Sequence, residues 1–156
     1  MLPEPAVGTS APNGGITGAP VSFWAGGIPQ GDLAFGPTVL DGRHVETTAR
    51  AISFEWDTGD SGTAAPRSRY VTQAPGTAEQ PAVTHVYETK SSVGRPAEGF
   101  YTIRLTVRWE RRYRVAGTVD PCNEWCLLDP GETDTTMPYR VAEVRSVLVD
   151  QIGGQG

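Results

Sequence analysis

One stretch, residues 99–109, constrains the fold of this chain more than any other part of its sequence. Its residues alternate between apolar and polar, and the apolar positions are Tyr101, Ile103, Leu105, Val107 and Trp109. Successive side chains of a β-strand point to opposite faces of a sheet. The alternation therefore predicts a strand with one buried and one solvent-exposed face. Its aromatic and β-branched residues are typical of such a half-buried surface.

Similar patterns elsewhere predict an all-β fold. Strands are expected over residues 19–25, 51–57, 83–87 and 139–150, with a short strand near Tyr70. The pair Asp41–Gly42 between apolar residues predicts a hairpin turn. Strands that follow one another without intervening helices indicate an antiparallel sandwich or barrel. Its core is expected to combine the apolar side of residues 99–109 with Ile52, Phe54, Trp56 and Tyr87.

The rest of the chain is expected to be irregular. Glycines and prolines interrupt any periodicity in residues 1–18, so we interpret them as a flexible N-terminal linker. Residues 19–150 then form the domain, and residues 151–156 a C-terminal tail. Long loops are expected over residues 26–37, 64–82 and 116–138.

Charge and hydropathy exclude some classes of partner. The net charge of −5 argues against nucleic acid, whose binding proteins usually carry a basic stripe. No apolar run approaches the roughly 18 residues of a membrane span. The first residues lack the basic flank and apolar stretch of a signal peptide. That is compatible with a cytosolic protein or with removal of a signal, and we favour an extracellular or cell-surface location.

Three segments, in order along the chain, resemble a PKD domain (polycystic kidney disease repeat). Residues 54–60 are similar to the family's aromatic-Asp-aromatic-Gly-Asp-Gly turn, residues 84–87 to its Thr-His-x-Tyr segment, and residues 99–107 to its Gly-x-Tyr-x-Val-x-Leu-x-Val strand. Thr58 and Ser61 depart from the pattern, which has an aromatic residue and a glycine there. The resemblance implies an immunoglobulin-like antiparallel β-sandwich, here an embellished bacterial member with long loops. It also implies a spacer, adhesion or ligand-presenting module, usually extracellular, with no fixed ligand.

The stretch between Val115 and Tyr139 is the best candidate for a functional surface. It holds five of the 18 acidic residues and no Lys or Arg, and the remaining 13 acids equal the 13 basic residues of the chain. Exposed apolar residues in a loop often mark a contact surface. We therefore predict an interaction loop for a protein partner; its residues are Asp120, Glu124, Trp125, Leu127, Leu128, Asp129, Glu132 and Asp134. Packing of the apolar residues back onto the sandwich is the alternative.

Two further features of this loop predict chemistry. Asp129, Glu132 and Asp134, with Gly131 at the bend, form a weak calcium candidate, although no EF-hand spacing is present. Cys122 and Cys126 are the two cysteines of the chain, and in an oxidising compartment we expect them to pair. So short a ring stabilises by only about 2 kcal/mol, so the disulfide would shape the loop rather than hold the domain.

Catalysis finds little support in the sequence. Residues 59–62 mimic the nucleophile loop of a serine protease, with His44 and Asp57 in the right chain order to complete a triad around Ser61. A turn explains the same Asp and Gly residues more simply, so a small serine hydrolase is the least favoured function. We expect His85 to be packed and His44 to be exposed, and we expect no enzymatic activity and no cofactor.

Two other surfaces carry residues that could bind a ligand. The outward residues Arg104, Arg108, Arg112 and Arg114 are expected to form cross-strand ion pairs, with Glu55 and Asp57 among the candidates, rather than an anion site. Exposed Trp24 and Trp125 leave open an accessory domain for polysaccharide or cell-wall polymer. The favoured function is a non-enzymatic interaction or spacer module.

Overall fold

The computed structural model describes residues 1–60, 68–91, 99–116 and 124–143. Within those ranges the chain forms eleven strands: β1 (Ala6–Thr9), β2 (Gly15–Ile16), β3 (Pro20–Gly26), β4 (Leu33–Leu40), β5 (Arg43–Asp57), β6 (Arg69–Thr72), β7 (Val83–Val86), β8 (Tyr101–Ala116), β9 (Cys126–Leu127), β10 (Gly131–Tyr139) and β11 (Val141–Ala142). In the same ranges, none of the elements is a helix long and apolar enough to cross a membrane.

The strands form two antiparallel sheets and one small parallel pair. The main sheet has the order β10-β8-β5-β4, with β6 also paired to β5 and β9 to β8. The second sheet has the order β1-β3-β7, and β2 pairs with β11 in parallel. This confirms an all-β fold built on antiparallel sheets, an arrangement compatible with a β-sandwich.

The strand that the sequence predicts best is the centre of the core. The odd-numbered side chains of β8 from Tyr101 to Trp109 are each at most 2% exposed. From the second sheet, β3 contributes Val21, Phe23 and Ala25 to the same buried cluster. The ring of Phe23 meets the ring of Tyr139 edge-on, with 5.5 Å between centroids. The two antiparallel sheets therefore share one core.

A β-bulge in β5 makes one core prediction wrong. Ala51 is opposite Trp109 and Ser53 is opposite Arg108, so Ile52 is the extra residue. An extra residue reverses which side of the strand faces inward. Ile52 is consequently 39% exposed, whereas Phe54 and Trp56 are buried.

The predicted hairpin turn is confirmed. Leu40 pairs with Arg43 across the β4–β5 connection. Asp41 and Gly42 have φ values of 50° and 75°, and two successive positive φ angles characterise the type I′ turn that suits the twist of a hairpin.

The predicted N-terminal linker is wrong where residues 1–18 form strands. β1 pairs with β3 over four residues, from Ala6 opposite Gly26 to Thr9 opposite Phe23. Gly8 permits this pairing, because a Cβ there would lie 2.1 Å from Nε1 of Trp24. The segment is a structural part of the second sheet.

Two predicted loops also contain strands. β4 begins at Leu33, inside the stretch expected to be irregular, and β10 runs along β8 from Gly131 to Tyr139. Of the predicted last strand, Tyr139 ends β10 and residues 141–142 form β11, while residues 144–150 lie outside the described residues. The short strand near Tyr70 is confirmed as β6, and the strand at residues 83–87 as β7.

One half of the main sheet extends past most of the shared core, to which it contributes Ala49. β5 has 15 residues and β8 has 16, and among the described residues the core cluster contains no β8 member after Trp109. We call the part made by β4, β9 and residues 43–50 and 110–116 the distal half of the sheet. It carries the candidate site.

Candidate functional site

The acidic stretch is partly a strand and partly an exposed turn. Residues 117–123 lie outside the described residues, so the role of Asp120 and the pairing of Cys122 with Cys126 stay predictions. Cys126 begins β9, which pairs with β8 in the distal half. We call residues 124–129 the turn segment; with β10 it forms the described part of the predicted loop.

The two acids on β10 are already neutralised by arginines of β8. Oδ2 of Asp134 accepts a hydrogen bond from a terminal nitrogen of Arg104 at 2.6 Å. Glu132 lies opposite Arg108 and 3.7 Å from its Nε. These arginines occupy two of the three carboxylates of the calcium candidate. Among the described residues no group of three or more His, Cys, Asp or Glu side chains could hold a metal ion, so the calcium site stays a prediction without support from this arrangement.

Ion pairs occupy all four outward arginines of β8. Three of them are cross-strand pairs, as predicted but with other partners, whereas Arg112 pairs within β8 itself. Arg112 lies 2.9 Å from Glu110, and Arg114 lies 2.6 Å from Glu46. Asp57, one of the expected partners, is instead 3.5 Å from Arg69. The outward face of the main sheet is therefore a surface of paired charges.

The turn segment differs, because its apolar side chains are exposed and its acids are unpaired. Leu127 is 69% exposed, Trp125 39% and Leu128 38%. Packing of Leu127 back onto the sandwich is thus wrong. Glu124 and Asp129 are exposed and have no ion-pair partner within the described parts of the chain. The turn segment therefore combines exposed apolar side chains with acids that are unpaired among the described residues, whereas the acids of the neighbouring strand β10 are paired with arginines.

Trp125 is held in place from one side. The guanidinium carbon of Arg114 lies 4.9 Å from the centroid of the indole ring, a cation–π distance. Arg114 is itself fixed by Glu46, whose Oε2 accepts from Nε at 2.6 Å. These two contacts therefore fix the orientation of the indole ring.

The backbone of the turn is fixed to β8 as well. The amide of Leu128 donates to the carbonyl of Arg111 at 2.9 Å, and Nε of Arg111 donates to the carbonyl of Asp129 at 2.8 Å. Sequence reasoning assigned Arg111 no role, because its side chain lies on the inner face, away from the outward arginines. The backbone of the turn segment is therefore tied to β8 at Leu128 and Asp129.

The tryptophans do not form the coplanar exposed row that a polysaccharide surface needs. All four lie in the described residues; Trp56 and Trp109 are buried, and Trp24 is half-buried against Gly8. Trp125 alone among them is exposed.

A buried polar chain links Asp60, His85 and Tyr70. Nε2 of His85 lies 2.9 Å from Oδ2 of Asp60, and Nδ1 lies 2.8 Å from the hydroxyl of Tyr70. His85 and Asp60 are each 4% exposed, which confirms the packed histidine. From the sequence, Asp60 is interpreted only as a turn residue. The signal that could have indicated its contact with His85 is the Gly59–Asp60 pair together with the later Thr-His-x-Tyr segment.

The side chains around Asp60, His85 and Tyr70 are apolar and aromatic. The ring of Tyr87 meets His85 edge-on at 4.6 Å, and its hydroxyl donates to the carbonyl of Thr58 at 2.9 Å. Burial, and then the Asp60 carboxylate, raise the pKa of Tyr87 far above its usual value. The hydrogen bonds of Asp60, His85 and Tyr70 connect β6 of the main sheet to β7 of the second sheet, so they hold the two sheets together.

The proposed serine triad cannot be assembled from its predicted members. His44 is exposed, as expected, near the beginning of β5, and Asp57 ends the same strand. At roughly 3.3 Å per residue they are about 40 Å apart. Ser61 lies outside the described residues.

Comparisons with family models, curated proteins and solved structures found no match.

Proposed function

We propose that this chain is a non-enzymatic, extracellular or cell-surface interaction module that binds a protein partner through the turn segment. The observation that carries the proposal is the exposed set of Trp125, Leu127 and Leu128 on a backbone fixed to β8. Aromatic anchors on rigid supports supply much of the binding energy at protein interfaces. Glu124 and Asp129 beside them favour a partner with a basic surface.

An immunoglobulin-like sandwich of the PKD type is proposed for the fold. It is supported by the position of the three resembling segments, which lie on β5, β7 and β8. Two of them meet in the contact between Asp60 and His85. Polysaccharide binding remains the alternative function, with less support because Trp125 has no exposed tryptophan beside it.

The proposal is tested with two matched substitutions. The immobilised chain is incubated with exported proteins of its host, and retained proteins are identified by mass spectrometry. Leu127→Ser should lose a partner that the parent retains. Val71→Ser should keep it, because Val71 is as exposed, at 71%, but lies on β6.

A second measurement addresses the charges. Retention should weaken as salt rises, because the partner's basic groups would be screened from Glu124 and Asp129. The proposal fails if both serine variants retain the same proteins as the parent, or if no protein is retained reproducibly.

A further inference from the structure

A groove in the distal half of the main sheet shares Leu128 with the turn segment, but Trp125 and Leu127 do not line it. It lies on the inner face, between the first residues of the chain and β8, and encloses about 560 Å³. Its apolar lining consists mainly of Leu2, Phe35, Ala49 and Leu128. A volume of this size with an apolar lining is typical of small-molecule sites, which span about 300–1,000 Å³.

Arg111 is the anomalous residue of this groove. It is half-buried and lies opposite Ala49, which in turn lies opposite Leu33. Its Nε is used by the carbonyl of Asp129, and within the described residues its terminal nitrogens have no carboxylate partner. The four outward arginines of the same strand all have one. A half-buried charge is stabilised by an anion that reaches it.

We propose that this groove binds a small monocarboxylate with an apolar chain. The carboxylate accepts hydrogen bonds from the terminal nitrogens of Arg111, a pairing that is favoured because both groups are charged. The apolar chain lies against Phe35, Leu2 and Leu128. The Nε contact to Asp129 fixes the guanidinium, so it loses little freedom when the ligand binds.

Two carboxylates at the groove predict its selectivity. The carboxylates of Glu4 and Glu132 also line the groove. Glu132 forms an ion pair with Arg108 as well, whose Nε lies 3.7 Å from its Oε1. One negative charge on the ligand is matched by Arg111, whereas a second would face these carboxylates. The site should therefore prefer monocarboxylates to dicarboxylates of the same length.

The experiment is a calorimetric titration of the whole chain with octanoate. 1-Octanol, which lacks the charge, and octanedioate, which adds a second, should each bind about tenfold more weakly or worse, the size of effect expected for one charged hydrogen-bonded contact. Arg111→Gln should weaken octanoate binding by a similar factor. Arg112→Gln is the matched control and should leave it unchanged, because Arg112 lies on the other face and pairs with Glu110.

A second variant keeps the test decisive if Arg111→Gln disturbs the turn at Asp129. Thr47 lies on the inner face opposite Tyr113 and next to Phe35 in the register, so Thr47→Phe fills the groove and should also reduce octanoate binding. The proposal is overturned if octanoate does not bind at millimolar concentration, or if 1-octanol binds as tightly as octanoate.

Two comparisons separate this site from other occupants and from the proposed function. A peptide ending in leucine that binds more tightly than octanoate, with the same dependence on Arg111, would assign the groove to a chain terminus and overturn the small-ligand proposal. Leu127→Ser should leave octanoate binding unchanged, because its side chain belongs to the other surface. Loss of octanoate binding in that variant would contradict a separate groove.

Discussion

At the scale of single residues, the contact between Asp60 and His85 is the most consequential polar interaction in the fold. The neutral imidazole can donate from Nε2 to the carboxylate and accept at Nδ1 from Tyr70, which satisfies both ring nitrogens. Both partners are almost fully buried. A buried carboxylate that loses its partner retains the full cost of leaving water.

His85→Ala should therefore reduce the free energy of unfolding by about 3–5 kcal/mol, the usual range when one partner of a buried pair is removed. Urea denaturation followed by fluorescence measures this. His44→Ala is the control, and it should change stability by less than about 0.5 kcal/mol because His44 is exposed. Equal free energies of unfolding for the two variants would contradict a stabilising contact between Asp60 and His85.

Trp56→Ala should cost about 3–5 kcal/mol, because a buried aromatic leaves a cavity. Trp56 is 2% exposed, and among the described residues its indole nitrogen has no hydrogen-bond partner. The loss is therefore one of packing. Trp125→Ala, at an exposed position, should cost less than about 1 kcal/mol by comparison, and the same denaturation experiment compares the two tryptophans.

At the scale of elements, the pairing of β1 with β3 is the feature that most changes the organisation expected of the chain. β1 lies beside β3 because Gly8 leaves room for the indole of Trp24. The N-terminal residues are therefore tied into a sheet by main-chain hydrogen bonds.

Gly8→Ala should destabilise the fold by about 1–3 kcal/mol, the usual cost of inserting a methyl group into a packed site. Gly26→Ala on β3 is the matched control, because a Cβ there would lie 3.6 Å from the nearest atom, the carbonyl oxygen of Ala6. Thermal unfolding of both variants measures the difference. Identical melting temperatures would mean that β1 does not pack on β3 in solution.

The sequence predicts elements where apolar and polar residues contrast, and fails where they do not. β8 alternates between large apolar and polar side chains from Tyr101 to Trp109, and its buried face follows directly, although the strand continues beyond the predicted residues to Ala116. β10 turns Thr133, Thr135 and Met137 towards the inside, and threonines on a half-buried face give little contrast with their neighbours. β1 and β2 are too short for any period to show.

The bulge at Ile52 illustrates a second limit. Alternation predicts the inner face of β5 only while each residue is matched by one on β8, and the extra residue changes the phase. The charge and the apolar residues of the stretch between Val115 and Tyr139 predict a candidate surface that includes the turn segment. No local pattern predicts the groove at Arg111, because it depends on contacts between β8, β4 and the first residues.

At the scale of the whole molecule, the buried tyrosines couple stability to alkaline pH. Burial raises the pKa of Tyr87, Tyr101 and Tyr139 above the usual value in the folded chain. In the unfolded chain they ionise near pH 10. Below that pH both states hold the protons, and above it the unfolded state loses them first.

The urea midpoint should therefore be constant below about pH 9 and fall as pH rises above about 10, because the unfolded state then binds fewer protons than the folded state. Denaturation curves from pH 8 to 11.5 measure the decline. Tyr87→Phe should make the decline shallower, although it lowers stability at pH 8 by removing the hydrogen bond to Thr58. A midpoint that stays constant to pH 11.5 would contradict the burial of these hydroxyls.

The interruption in β4 has a consequence for how copies of this chain meet one another. The pairing of β4 with β5 breaks between Phe35 and Thr38, and Pro37 has no amide hydrogen to offer a neighbouring strand. A long flat sheet edge is a template on which further chains can add and fibrils can grow. By interrupting the strand at this edge, the chain deprives such growth of a continuous row of donors, so the β4 edge disfavours the addition of further copies of the chain.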